Sequence, residues 1–162
     1  MNSADIEKYD KIVAACKDIF IKKMQDYGTS WRHLRPSSIT DQIFIKAKRL
    51  KTLDTLKEQK VSDKPEDEWM GIINYSIIAL IQLELQNNED IDIPQNTIIQ
   101  LYDQQVQKVK KLMLKKNHDY GDAWKEMRVS SFIDLVLVKL HRIRQIENNE
   151  GKTLVSEGVE AN

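Results

Sequence analysis

A single cysteine, Cys16, rules out a disulfide framework and an all-cysteine metal site. Glycine and proline are scarce, at five and three in 162 residues, which excludes collagen-like and low-complexity chains. Excess charge of either sign is also missing, because 25 Lys and Arg balance 25 Asp and Glu. That balance lacks the footprint of a general nucleic-acid or anionic-membrane binder and leaves room only for local basic pockets. No apolar run approaches the roughly 18 residues that span a bilayer. The opening Met1-Asn2-Ser3-Ala4-Asp5 has no basic-then-apolar leader pattern, so the expectation is a cytoplasmic protein without a membrane partner. His33, His118 and His141 share no ligand spacing and stand at unmatched positions, which speaks against zinc.

What the chain does have is a long internal repeat. The segment from Lys22 to Asp41 returns from Lys115 to Asp134, displaced by 93 residues (Tyr27 against Tyr120). A repeat at this distance marks duplication of a domain-sized unit rather than a solenoid. Lys23, Asp26, Tyr27, Trp31, Arg35, Asp41, Lys46 and Arg49 are mirrored by Lys116, Asp119, Tyr120, Trp124, Arg128, Asp134, Lys139 and Arg142. The polar stretch from Asn87 to Pro94 is the natural boundary, giving units at residues 1–90 and 91–162.

The periodicity predicts an all-α protein. Ile6, Tyr9, Ile12, Cys16, Ile19, Phe20 and Met24 recur at spacings of three and four, so residues 4–26 read as helix, with Gly28 as its stop. After a short loop to Pro36, Ser37 or Ser38 opens a second helix running to residue 57, with Ser38 and Asp41 at capping-box spacing. Pro65 opens a third, followed by three first-turn acids and a nearly all-round apolar body. Unit two repeats the first two helices at about 95–118 and 131–148. Val61 to Glu68 then aligns with Val155 to Asn162 at an offset of 94, and the counterpart of the third helix is missing. Either the sequence is cut short of that helix, or the helix at 66–86 serves both units. A missing or swapped third helix is the expectation, because a lobe without it exposes a large apolar groove, and a homo-oligomer formed through that groove follows.

Two clusters carry candidate chemistry. Lys46 and Arg49 stand one helical turn apart, and with Arg35 they offer three cations to a phosphate. Tyr27 and Trp31 offer aromatic faces to a base. Lys23 joins this nucleotide-binding set, and Lys116, Tyr120, Trp124, Arg128, Lys139 and Arg142 form its copy. The alternative is structural, with Arg35 paired to Asp41 and the two aromatics plugging the end of a helical core. The second cluster is acidic. Asp67, Gly71, Asn74 and Ile78 share one face of the third helix, and Asp41 is the acid of the second helix placed to join Asp67 and Glu68 around Mg²⁺. Here too a bland reading exists, because acids after a first-turn proline also satisfy the helix dipole, and Arg49 is a natural partner for Asp67 or Glu68.

The Lys-x-x-Asp-Tyr-Gly-x-x-Trp segment, Asp41 or Asp134, the following Lys-x-x-Arg and the later Glu-Asp-Glu-Trp-Met-Gly-Ile-Ile-Asn-Tyr resemble the nucleotide-modification-associated domain of the first type. The resemblance spans residues 20–85 and 113–162 and implies a role in making or handling modified nucleotides. A looser likeness joins the chain to all-helical nucleoside triphosphate pyrophosphohydrolases, which hold Mg²⁺ with acids from adjacent helices. That likeness implies Asp41, Lys46 and Arg49 as catalytic residues and Asp41, Asp67 and Glu68 as metal ligands. The paired Glu-x-x-Glu and Glu-x-x-Asp of those enzymes are absent here. The competing class is a non-catalytic helical interaction module.

Overall fold

The computed structural model describes every residue except Lys57, Gln59 and Ser156. Five helices carry the described chain: α1 (Ser3–Tyr27), α2 (Pro36–Leu53), α3 (Pro65–Glu84), α4 (Gln95–Tyr120) and α5 (Val129–Asn148). Short 3-10 turns, Ser30–His33 and Ala123–Glu126, join α1 to α2 and α4 to α5. Helix α1 starts on a capping box in which the Asn2 side chain accepts the Asp5 N–H and the Asp5 carboxylate accepts the Asn2 N–H. It stops at Gly28, whose φ of +61° is open to glycine at little cost.

Helix α2 begins earlier than the Ser37 or Ser38 start. Arg35 is the N-cap and Pro36 the first helical residue, because proline's fixed φ suits that position and its missing N–H costs nothing there. Ser38 and Asp41 therefore lie inside the helix rather than forming its cap. The described part of α2 ends at Leu53, and the expected end at residue 57 falls on a residue outside those described. Pro65 opens α3 as expected, and the Asp67 carboxylate accepts the Lys64 N–H.

The packing follows a pseudo-twofold axis. Helix α2 lies against α3 and α5, while α4 lies against α3 and α1. The α2–α5 contact joins repeat-equivalent helices, and its ion pairs are reciprocal: Arg144 reaches Asp41 at 2.7 Å and Lys51 reaches Asp134 at 3.4 Å. Each pair is the other shifted by one repeat. The α1–α4 contact behaves alike, with Lys17–Asp103 at 2.8 Å and Lys110–Asp10 at 2.6 Å. Such reciprocity is the mark of an isologous interface, here formed inside one chain.

Helix α3 is the central element. Ile72, Ile77, Ile78 and Ile81 are buried against Ile39, Ile43, Ala47 and Leu50 of α2 and against Ile98 and Tyr102 of α4. Each isoleucine so buried contributes about 1.5–3 kcal/mol relative to exposure. Thus α3 covers its own unit and the flank of α4, and α5 rests on the other side of α2.

The second loop is tied to the start of the chain. The Lys125 ammonium bridges Asp5 at 2.6 Å and Asp122 at 3.0 Å, and Asp122 also receives the Met1 amino group at 2.5 Å. The Met1 ammonium, and then Lys125, hold the Asp122 carboxyl down at about 2, and Lys125 lowers Asp5 as well. A carboxyl whose folded-state pKa is depressed stabilises the fold above its ordinary value and loses that contribution as pH falls toward the folded value. Lys125→Met is therefore expected to melt below the parent at about pH 6, with the gap closing as pH falls from about 4 to about 2. Thermal scans across that window check it.

Candidate functional site

The polar face of α3 opens onto a pocket of about 530 Å³, walled by the end of α1, the first 3-10 turn and Lys46 of α2. Tyr27 and Trp31 stand on one side of it, with Tyr75 also in its lining. Lys23 and Lys46 bring cations, while Asp63, Asp67 and Glu68 bring carboxylates. The expected α3 face, Asp67, Gly71, Asn74 and Ile78, lines it in full.

Local structure explains why each side chain is there. Thr29 is buried and donates to the Ile91 carbonyl at 2.5 Å, and Arg32 reaches the Asp90 carbonyl at 3.0 Å and the Asn88 carbonyl at 2.5 Å. Arg32 also bonds the Gln82 amide oxygen, while the Gln82 amide nitrogen donates to the Trp31 and Leu34 carbonyls. The 3-10 turn is thereby fixed to α3 and to the α3–α4 connection. That leaves Tyr27, 71% exposed, at the pocket mouth and half-buried Trp31 packed on the core. The loop is both a joint and a wall.

Glu68 anchors the charged end of the pocket. It is 6% exposed and accepts from Arg49 at 2.5 Å, with the Lys46 ammonium at 3.8 Å. Arg49 continues to Asp63 at 3.4 Å. Lys46 reaches this position by laying its methylenes on Gly71, where any Cβ would stand 2.7 Å from them. Its ammonium lies 5.9 Å from the centre of the Tyr75 ring. At the pocket floor the Asn74 amide donates to the Cys16 carbonyl at 3.0 Å and accepts the Tyr102 hydroxyl at 2.8 Å. Burial pushes the Tyr102 phenol far above its ordinary range, so it remains a donor, and burial also raises the Cys16 thiol.

The sequence-predicted residues divide into those this pocket gathers and those it does not. Lys23, Tyr27, Trp31, Lys46, Asp67 and Glu68 line it. Arg49 reaches its edge through Glu68. Arg35, exposed at the α2 N-cap, is outside the lining. Asp41 also stands apart, paired with Arg144 across the α2–α5 contact. Five residues of helix separate Asp41 from Lys46, a rotation of about 140° that turns the two toward different neighbours. Retention of Asp41 and Asp134 in both repeats is explained by their reciprocal ion pairs. Asp41, Asp67 and Glu68 therefore do not form one Mg²⁺ ligand set, and among the described residues no three His, Cys, Asp or Glu side chains group as a metal site.

In unit two, Lys116, Tyr120 and Trp124 line a second, more apolar hollow of about 750 Å³ between α1 and α4. Trp124 donates to the Asn117 amide oxygen at 3.0 Å. Arg128 is the exposed N-cap of α5, and Lys139 lies on that helix with its ammonium 3.3 Å from the Asn162 amide oxygen. Arg142, also on α5, is outside the hollow's lining. Sequence reasoning missed Asp63 and Tyr75 in the first pocket. Tyr75 follows Asn74 directly, on a helix whose nearly all-round apolar body gives no sign of which aromatic faces a pocket.

Internal duplication, an all-helical build and a charged, aromatic-walled pocket define a helical domain with a small-molecule-sized site. The chain belongs to the family Nucleotide modification associated domain 1, which matches residues 23–83 and 116–162. No curated protein and no solved structure matches it. No described helix is long and apolar enough to cross a membrane.

Proposed function

We propose that the protein binds a nucleotide in the α1–α3 pocket of unit one, in keeping with a family associated with nucleotide modification. The observation that carries this reading is the convergence of Tyr27, Trp31 and Tyr75 with Lys23 and Lys46 on one pocket. In the binding mode that follows, a base packs on the loop aromatics and phosphate oxygens meet the two ammonium groups. Three carboxylates share this lining with two lysines, so a triphosphate meets repulsion unless a divalent cation accompanies it. Asp67 and Glu68 are the acids of the expected Mg²⁺ set that stand here, and Glu68 is already neutralised by Arg49 and Lys46. Pyrophosphohydrolase chemistry is the finer form of the proposal, and Lys46 is the residue placed to stabilise developing phosphate charge.

The test is calorimetric titration with a panel of nucleoside mono-, di- and triphosphates, with and without Mg²⁺, alongside an assay for released pyrophosphate. Binding is expected to strengthen with Mg²⁺ and to weaken about tenfold in Lys46→Ala. Gly71→Ala is expected to weaken binding while leaving stability equal or higher, because alanine favours the helix but pushes Lys46 off its track. Failure of every nucleotide to bind or to raise the melting temperature removes this reading. The competing interaction-module reading would then stand, favoured by the way Thr29 and Arg32 make the loop a structural joint.

A further inference from the structure

The two copies of the aromatic loop treat one hydrogen-bond donor differently. In unit two the Trp124 indole N–H is taken up by the Asn117 amide oxygen at 3.0 Å. The residue one repeat before Asn117 is Met24, whose thioether is only a weak acceptor. Among the described residues the Trp31 indole N–H accordingly has no hydrogen-bond partner, and it is not sealed from solvent. Trp31 itself lines the first pocket. A second exchange runs the same way. Ser30, exposed and in the same lining, stands where unit two has Ala123. Unit one therefore carries two polar groups, on adjacent loop residues, that its copy either engages internally or lacks.

The acceptors of this pocket are already engaged by the protein. Glu68 answers Arg49 and Lys46, and Asp63 answers Arg49. Asp67 accepts the Lys64 N–H, and the Asn74 oxygen accepts the Tyr102 hydroxyl. The nitrogen groups left without a partner among the described residues are donors, the Trp31 N–H and the Lys23 ammonium, and neither can accept. A base lying on the loop aromatics therefore meets donors at its edge. A ring carbonyl is satisfied there, whereas an exocyclic amine faces groups of its own kind and loses its water without compensation. We infer that Trp31 is the specificity-determining residue of the pocket. Its indole N–H donates to a ring carbonyl, so that keto bases such as uracil are selected over amino bases such as cytosine. This inference rests on the nucleotide-binding reading of the same pocket and adds which edge of the ligand is read. Stacking and the lysines serve any nucleotide, and Trp31 tells the bases apart.

Calorimetric titration of the full chain with UTP and with CTP, both with Mg²⁺, tests the assignment, because the two ligands differ only at the base edge. The parent protein is expected to bind UTP about tenfold more tightly. Trp31→Phe keeps a ring for stacking and removes the N–H. It should weaken UTP about tenfold and CTP about twofold, so that most of the preference disappears. Ser30→Ala should give a smaller loss, about threefold, confined to UTP. Indole N–H proton NMR on the parent protein supplies a readout that a merely structural tryptophan would not move. At saturation with UTP the Trp31 indole proton should exchange with water about tenfold more slowly, and with CTP it should keep its free rate. The Trp124 proton, already bonded to Asn117, is the reference. Equal losses of UTP and CTP in Trp31→Phe, or a Trp31 indole proton indifferent to UTP, overturn this inference and leave nucleotide binding standing. Binding by no nucleotide at all removes the nucleotide reading and this inference together.

Discussion

A Glu68→Ala protein is expected to unfold at a lower urea concentration, with stability reduced by about 3 kcal/mol and an unchanged denaturant slope. Glu68 is almost fully buried and answers two cations, Arg49 at 2.5 Å and Lys46 at 3.8 Å. Removing it leaves Arg49 with Asp63 and takes away the carboxylate that Lys46 answers. Breaking one side of a buried pair costs about 3–5 kcal/mol, and the partial exposure of Arg49 and Lys46 places this case at the lower end. Glu68→Gln should lose less, because its amide oxygen still accepts from Arg49. Pairing Glu68→Ala with Arg49→Met should cost less than the two single losses added together, by about 1–2 kcal/mol. Strict additivity in urea melts would show that the pair does not support α3 against α2.

The second large effect is expected at Asn74. Asn74→Leu keeps roughly the same volume but removes the acceptor of the Tyr102 hydroxyl, a fully buried group with Asn74 as its partner. A buried donor left unmet costs about 1–3 kcal/mol, and loss of the bond to the Cys16 carbonyl adds about 1 kcal/mol. The total expected is about 3 kcal/mol. The carbonyl itself keeps its place in the α1 ladder, so most of the loss sits with the phenol. Adding Tyr102→Phe removes the orphaned hydroxyl, and the double variant should recover part of the stability. Urea melts of the two singles and the double decide this, and a double no better than Asn74→Leu alone would refute the phenol's role.

These two residues also show where the sequence was readable. The 3.6-residue spacing of Cys16, Phe20 and Met24, and of Ile39, Ile43, Ala47 and Leu50, placed the helices because local periodicity reports burial. Asn74 stood out for the same reason, as one amide in an apolar helix whose burial demands partners. Its partner Tyr102 could not be found that way, since it arrives on α4 from across the linker. Asp41 was misplaced among the metal ligands for a related reason. Its presence in both repeats fitted a site signature as well as an interface, and only the seating of α5 on α2 distinguishes them. Lys23, Tyr27, Trp31, Asp67 and Glu68 were readable as candidates because they lie on elements whose positions the repeat and the periodicity had fixed. Asp63 was not, because it sits in a polar turn without periodicity.

The reciprocal ion pairs across α2–α5 and α1–α4 make the chain a dimer written on one polypeptide. A single ancestral unit bearing these faces would have met its twin by diffusion and fallen apart on dilution. Joining the two halves through the short segment before Pro94 makes their encounter intramolecular, at an effective concentration on the order of millimolar. Assembly then no longer depends on how much protein the cell makes. The tether also releases one half from having to match the other, so unit one can carry a charged pocket while its counterpart in unit two is more apolar.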